Sequence, residues 1–200
     1  MDLFEDSEER NLLPRDGVAN YHGAILEELE EEQLFRDLMS QVPWKSDEVV
    51  MFGKRIVTAR KVAWYGDSGF GYRYSGTEKV ALPWIPVLRE LKRRVEEKSG
   101  ENFNSCLLNL YHDGSEGMGW HSDDEPSLVK DSAIASVSLG VERKFSFKHR
   151  ETKETVSLML ERGSLLVMKG ETQRSWRHAL PKTKKVDSPR INLTFRSFVV

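Results

Sequence analysis

From residue 103 onward the chain reads as eight short runs of β-forming residues, and this spacing limits its possible architectures more than any other feature. The runs span 103–111, 118–123, 133–139, 143–149, 154–160, 164–168, 175–180 and 190–199, and turn residues or charge clusters separate most of them. Many short, punctuated strands pack as a β-sandwich or barrel. The expectation is an α+β, mainly β fold: a double-stranded β-helix, or jelly roll, flanked by N-terminal helices. The last run alternates most cleanly, with Ile191, Leu193 and Phe195 on one face and Arg190, Asn192, Thr194 and Arg196 on the other, because strand side chains alternate. Two arginines on one strand face suit either an exposed edge or a polar interior that receives an anion, which guanidinium groups grip through paired hydrogen bonds.

The residues ahead of these runs are organised differently. Residues 1–20 read as an irregular lead-in, broken by Pro14, Asp16 and Gly17. Leu26, Leu29, Leu34, Phe35 and Leu38 recur at roughly helical spacing and predict a packing helix over 24–39, with an irregular step between Leu29 and Leu34. Residues 48–82 are rich in β-formers and contain a glycine-rich loop in which Tyr65, Phe70, Tyr72 and Tyr74 surround Arg73. That loop is either a satellite hydrophobic cluster or a platform for a flat ligand. Pro83 and Pro86 then open a second helix, with Trp84, Leu88, Leu91 and Val95 on one face and Gly100 placed to end it.

Two hundred residues suffice for one domain with a sizeable core. No apolar run is long enough to span a membrane, and the acidic start is unlike a secretion signal. One cysteine, Cys106, excludes an internal disulfide, leaves any metal site to histidines and carboxylates, and suggests a reducing intracellular compartment. Residues 1–50 hold 14 acidic against 4 basic residues, and residues 51–200 hold 18 against 26. A basic body of this kind is compatible with a polyanionic partner or with ordinary solvated charge.

Within the β-rich part, Asn109-Leu110-Tyr111 is followed closely by His121-Ser122-Asp123. Residues two apart on an extended chain point to one side, so His121 and Asp123 converge, as do Asn109 and Tyr111. A histidine and a carboxylate so placed are two-thirds of the facial triad of non-haem iron oxygenases. His22, His112, His149 and His178 are the candidates for the third ligand. His178, in a short apolar-flanked run just before the arginine strand, is the one that a jelly roll can bring alongside; His112 and His149 read as surface residues.

In this order of motifs the chain resembles the AlkB family of Fe(II)- and 2-oxoglutarate-dependent nucleic-acid dealkylases, closest to its double-stranded-DNA repair branch. The resemblance rests on Asn109-Leu110-Tyr111, His121-Ser122-Asp123-Asp124-Glu125, Ser136-Val137-Ser138-Leu139-Gly140, Gly163-Ser164-Leu165-Leu166-Val167-Met168, Trp176-Arg177-His178 and Arg190-x-Asn192-x-Thr194-Phe195-Arg196. The likeness extends back to about residue 50 and implies one dioxygenase domain over 46–200, behind the acidic extension and helix expected over 1–45. That domain would comprise a nucleotide-recognition lid at 46–82, a packing helix at 83–100 and a jelly-roll core at 103–200. It implies Fe(II) held by His121, Asp123 and His178, with 2-oxoglutarate and dioxygen as co-substrates. Arg190 would grip the far carboxylate of 2-oxoglutarate, and Arg196 would sit with the near one. Asn109, Tyr111 and Asn192 would be further co-substrate contacts. Glu125 would face the base, Tyr72 and Tyr74 would belong to the lid, and Phe52 would fill the space left by an extruded base. Lys182, Lys184 and Lys185 would grip the DNA backbone. The implied reaction is repair of N1-methyladenine and N3-methylcytosine, chiefly in DNA with RNA as the alternative, by a monomer that is cytoplasmic if bacterial and nuclear if eukaryotic. An oxygenase of the same chemistry acting on RNA or protein, or a non-catalytic jelly-roll module, would share parts of this pattern.

Overall fold

A computed structural model of the chain describes residues 10–51, 54–67, 71–74 and 77–199. Before the eight predicted runs come strands β1 (Val18–Ala24), β2 (Lys45–Met51), β3 (Lys54–Gly66), β4 (Gly71–Tyr74), β5 (Thr77–Val80) and β6 (Leu82–Pro83). Helices α1 (Glu28–Gln41) and α2 (Pro86–Ser99) lie among them. The runs themselves form β7 (Ser105–Tyr111), β8 (Met118–His121), β9 (Ile134–Gly140), β10 (Arg143–His149), β11 (Thr155–Leu160), β12 (Ser164–Lys169), β13 (Trp176–Leu180) and β14 (Arg190–Arg196), with a four-residue helix α3 (Thr172–Ser175) before β13.

A large sheet runs β1-β12-β9-β14-β7-β3-β2, with β6 beside β3, and a small sheet runs β11-β10-β13-β8. Their mostly antiparallel, non-sequential order is that of the expected jelly roll. β4 and β5 form a separate ribbon. Strand alternation sorts the residues of the large sheet. Leu108 and Leu110 of β7, Val137 and Leu139 of β9, Leu165 and Val167 of β12 and Ile191, Leu193 and Phe195 of β14 join one cluster with Leu34 and Leu38 of α1 and Leu88, Leu91 and Val95 of α2. The helices therefore cover the outer face of this sheet. Each fully buried aliphatic side chain contributes about 1.5–3 kcal/mol, so α2 is held mainly by Leu88, Leu91 and Val95. Pro86 sits in its first turn, and Gly100, at φ 69°, closes it with a left-handed cap.

The opposite face of the large sheet looks at the small one. At one end the gap is apolar, filled by Ile134, Leu166 and Met168 against Phe147, Leu160 and Trp176. Elsewhere Asn109, Ser136, Ser138, Arg190, Thr194 and Arg196 are buried in the gap. The register sets Arg190 opposite Tyr111, and Asn192 between Asn109 and Ser138. β14 is thus an inner strand, which decides for a polar interior over an exposed edge.

Two expectations are corrected here. Residues 18–20, read as irregular, belong to β1, which pairs with β12; Asn11 fixes the approach by accepting hydrogen bonds from the Leu13 and Ala19 amides. The irregular spacing in the first helix also has a cause. α1 starts after Leu26, Leu29 is 80% exposed, and Glu31 takes the buried position above Leu34 and Leu38. Its carboxylate accepts from the Gly140 amide at 2.6 Å and from Arg162, so a salt link replaces an apolar contact at that step.

Candidate metal centre and anion site

β8 and β13 pair so that His121 lies directly opposite His178. Asp123 follows β8 in an irregular segment, yet one donor atom from each of the three residues lies within 4.8 Å of the others. The imidazole rings meet edge to face with centroids 4.3 Å apart, and His121 Nε2 is 3.8 Å from an Asp123 oxygen. No other cluster of three such residues with converging donor atoms occurs among the described residues. The donor set is a facial triad of two histidines and one carboxylate, which suits Fe(II) with sites left open.

Neighbouring groups prepare each donor for a metal. His121 Nδ1 lies 2.8 Å from the Gly119 carbonyl oxygen; Nδ1–H donates there, leaving Nε2 with a free lone pair. Burial pushes the His178 imidazole down to about 4, only partly opposed by the Asp123 charge, so it is neutral near pH 7. Burial works to raise the Asp123 carboxyl, but Arg196 and the two histidines outweigh it and hold the group near 2. Arg196 donates to its other oxygen, Oδ2, at 2.7 Å, and the Asp123 amide donates to Gln173 Oε1 at 3.0 Å. A carboxylate tied at one oxygen and at its own backbone presents the remaining oxygen in a fixed direction.

The polar interior between the two sheets also holds a buried cation. Arg190 is 2% exposed, donates to Ser138 Oγ at 2.9 Å and Asn192 Oδ1 at 2.7 Å, and stacks its guanidinium 5.7 Å from the Tyr111 ring centre. It has no carboxylate partner among the described residues. Burial lowers its pKa to about 10, still far enough above neutral pH to keep it charged. The Nε atoms of Arg190 and Arg196, Asn109 Oδ1 and Glu125 Oε2 are also buried without hydrogen-bond partners among the described residues. Unpaired buried donors and an uncompensated charge are expensive in a folded protein. A small dianion such as 2-oxoglutarate would satisfy these guanidinium donors, so the residues fit both implied groups.

The other sequence candidates divide clearly. Thr194 continues the polar row by accepting from Asn192 at 2.8 Å. Lys182, Lys184 and Lys185 are exposed on the loop after β13, and that loop is pinned where the Thr183 amide donates to the Gly114 carbonyl oxygen and the Gly114 amide donates to that of Val186. A Cβ on Gly114 would run into the Thr183 carbonyl oxygen and one on Gly117 into that of Leu180, so these glycines permit the close approach. Tyr72 and Tyr74 lie on β4, paired with Lys79 and Thr77 of β5; Phe52 lies outside the described residues. His112 is exposed, as expected, and bound to Glu116. His149 is not a surface residue. It is 3% exposed and wedged against Trp176, with Asp16 on Nε2, because it faces inward on β10 like Phe145 and Phe147. Gln173 and Arg143 carry no sequence signal for their roles. Arg143, also buried, donates to the carbonyls of Asp113, Glu116 and Pro181 and ties the loop before β8 to the one after β13.

Residues 17–196 match the model of the 2OG-Fe(II) oxygenase superfamily. The chain is 40% identical over 198 residues to mouse DNA oxidative demethylase ALKBH2, covering 94% of this chain and 83% of that protein. It is 38% identical to the human ALKBH2, covering 92% and 75%. To human alpha-ketoglutarate-dependent dioxygenase alkB homolog 3 it is 39% identical, covering 84% of this chain and 62% of that one. A solved structure of OsALKBH1 superimposes with a TM-score of 0.61 at 17% identity, over 92% of this chain and 98% of the other, a likeness of fold. No described helix is long and apolar enough to cross a membrane.

Proposed function

Because the chain belongs to the AlkB family of the 2OG-Fe(II) oxygenase superfamily, we propose that it repairs alkylated DNA as an oxidative demethylase, acting on N1-methyladenine and N3-methylcytosine. The observation that carries this reading is the pairing of a His-Asp-His triad with a buried, carboxylate-free Arg190 in one interior. A structural metal site has no use for the second feature.

Fe(II) bound by His121, Asp123 and His178 would supply the dioxygen chemistry that oxidises 2-oxoglutarate to succinate and carbon dioxide and hydroxylates the N-methyl group. The chain's own residues bind and orient. Arg190 takes the far carboxylate of 2-oxoglutarate, supported from behind by Ser138 and Asn192. Arg196 steadies Asp123 and sits with the near carboxylate, and Asn109 and Tyr111 complete the co-substrate wall. Phe145, stacked 5.4 Å from the His178 ring, keeps bulk water from that side of the triad. The hydroxymethylated base then loses formaldehyde, which restores its pairing edge.

That edge is inaccessible inside a duplex, so the nucleotide must be extruded at a cost of a few kcal/mol, least where methylation already breaks the pair. Stacking on Tyr74, about 1–3 kcal/mol per base, and insertion of Phe52 into the vacated space offset a cost of that size. Glu125 faces the exocyclic amine, and Lys182, Lys184 and Lys185 hold phosphates. The chain works as an intracellular monomer. The test is formaldehyde and succinate release on methylated DNA, RNA and peptide in parallel. Turnover on DNA that is lost in His121→Ala is expected; no turnover on DNA, or full turnover by the variant, overturns the proposal.

A further inference from the structure

The outer face of the small sheet carries a charge pattern that neither the triad nor the co-substrate wall uses. On β10 and β13, Lys148 lies directly opposite Arg177, and Lys144 points the same way four residues back along β10, beyond Ser146. Like charges set opposite one another work against strand pairing. None of the three has a carboxylate partner among the described residues, and the outward positions of β8, β10, β11 and β13 hold no Asp or Glu at all. Trp120, on β8, stands beside them 43% exposed, with the Lys148 ammonium 5.9 Å from its ring centre. An exposed indole with a lysine over its ring, on a face without carboxylates, offers a stacking surface and positive charge side by side.

The position of this face relative to the triad points to the occupant. β8 is the edge strand of its sheet, and its His121 side chain is 35% exposed where Asp123 is only 7%. The triad is thus open toward the β8 rim. Trp120 lies next in sequence to one ligand and Arg177 next to another, each facing outward while the ligand faces inward. We propose that the outer face of the small sheet is a second nucleic-acid surface: the strand that flanks the target base passes over β8, stacks a base on Trp120 and sets phosphates against Lys148 and Arg177. This rests on the nucleic-acid reading of the active site and extends it by a track of several nucleotides. Charge complementarity and aromatic stacking are the two terms by which single strands are held.

The test measures binding of a long unmethylated single strand, and turnover of a methylated trinucleotide too short to reach the rim. Each phosphate contact on a single strand contributes about 0.7 to the slope of log affinity against log salt. Lys148→Gln with Arg177→Gln should therefore lower the slope by about 1.4, making the loss of affinity between about 50 and 200 mM salt roughly 7-fold smaller than in wild type. Trp120→Ala should weaken the long strand about tenfold. Turnover of the trinucleotide should stay at the wild-type level in both variants. Unchanged slope and affinity for the long strand overturn the proposal, as do equal losses on the trinucleotide. A wild type that binds the long strand through these residues yet demethylates nothing would sink the activity reading alone.

Discussion

Arg190→Met separates the cost of the buried cation from its use. The guanidinium is 2% exposed, charged at neutral pH, and has no carboxylate among the described residues. Methionine keeps much of the length and removes the charge. The partners left behind are not stranded: Asn192 Oδ1 also accepts from Ser136 Oγ at 3.0 Å, and the Ser138 hydroxyl can turn. Replacing a buried charge with an apolar side chain of similar volume is neutral or favourable by about 1–2 kcal/mol. For a chain of this size that corresponds to a melting temperature unchanged or raised by roughly 2–8 °C. Removing one partner of a buried charge pair costs about 2–5 kcal/mol of binding, so 2-oxoglutarate affinity should fall at least about 30-fold. Thermal melts with and without 2-oxoglutarate, and calorimetry with a redox-inert divalent metal, read both effects. The variant should melt no lower than wild type alone and gain much less stability from the co-substrate than wild type does at the same concentration. A variant that melts lower yet binds 2-oxoglutarate as wild type does would refute this account of Arg190.

Metal-free protein should lose stability in mild acid. His178 has a folded pKa of about 4 against 6.5 ordinarily, so the unfolded state takes up the proton first; the stability is whole above about 6.5 and falls by about 3 kcal/mol as pH drops to about 4. His178→Gln should flatten this part of a denaturation-versus-pH curve, and an unchanged curve would contradict it. Gly117→Ala, whose Cβ would collide with the Leu180 carbonyl oxygen at the end of β13, should destabilise by about 1–3 kcal/mol and weaken metal binding by disturbing the strand that carries His178; urea unfolding and metal titration check both. Phe52→Ala should impair turnover on methylated duplex more than on single strand, and equal losses would remove the inserted-finger role.

What was legible in the sequence follows from what side-chain periodicity can encode. β14 announces both its faces because Ile191, Leu193 and Phe195 meet the helices while Arg190, Asn192, Thr194 and Arg196 meet the site. α2 was equally clear, since its proline, apolar stripe and glycine cap all agree. His121, Asp123 and His178 are legible because the first two lie two residues apart in one short segment and the third sits in a strand that a jelly roll sets alongside. β1 leaves no local pattern because its pairing depends on Asn11 and on β12, far along the chain. The buried Glu31 breaks the helical apolar pattern for a tertiary reason, its link to Arg162 and Gly140. His149 looked like a surface residue because charged neighbours in sequence say nothing about the inward face of β10. Gln173 and Arg143 act through backbone groups of distant loops, which no local pattern reveals.

The most direct measurement is the mass of a DNA oligonucleotide carrying one N1-methyladenine after incubation with the chain, Fe(II), 2-oxoglutarate and air, with succinate and formaldehyde counted in the same reaction. The account predicts loss of one methylene's mass per lesion, one formaldehyde for each restored base, and neither product nor repair with Asp123→Ala. Succinate without repair of DNA, or repair that survives Asp123→Ala, would contradict it.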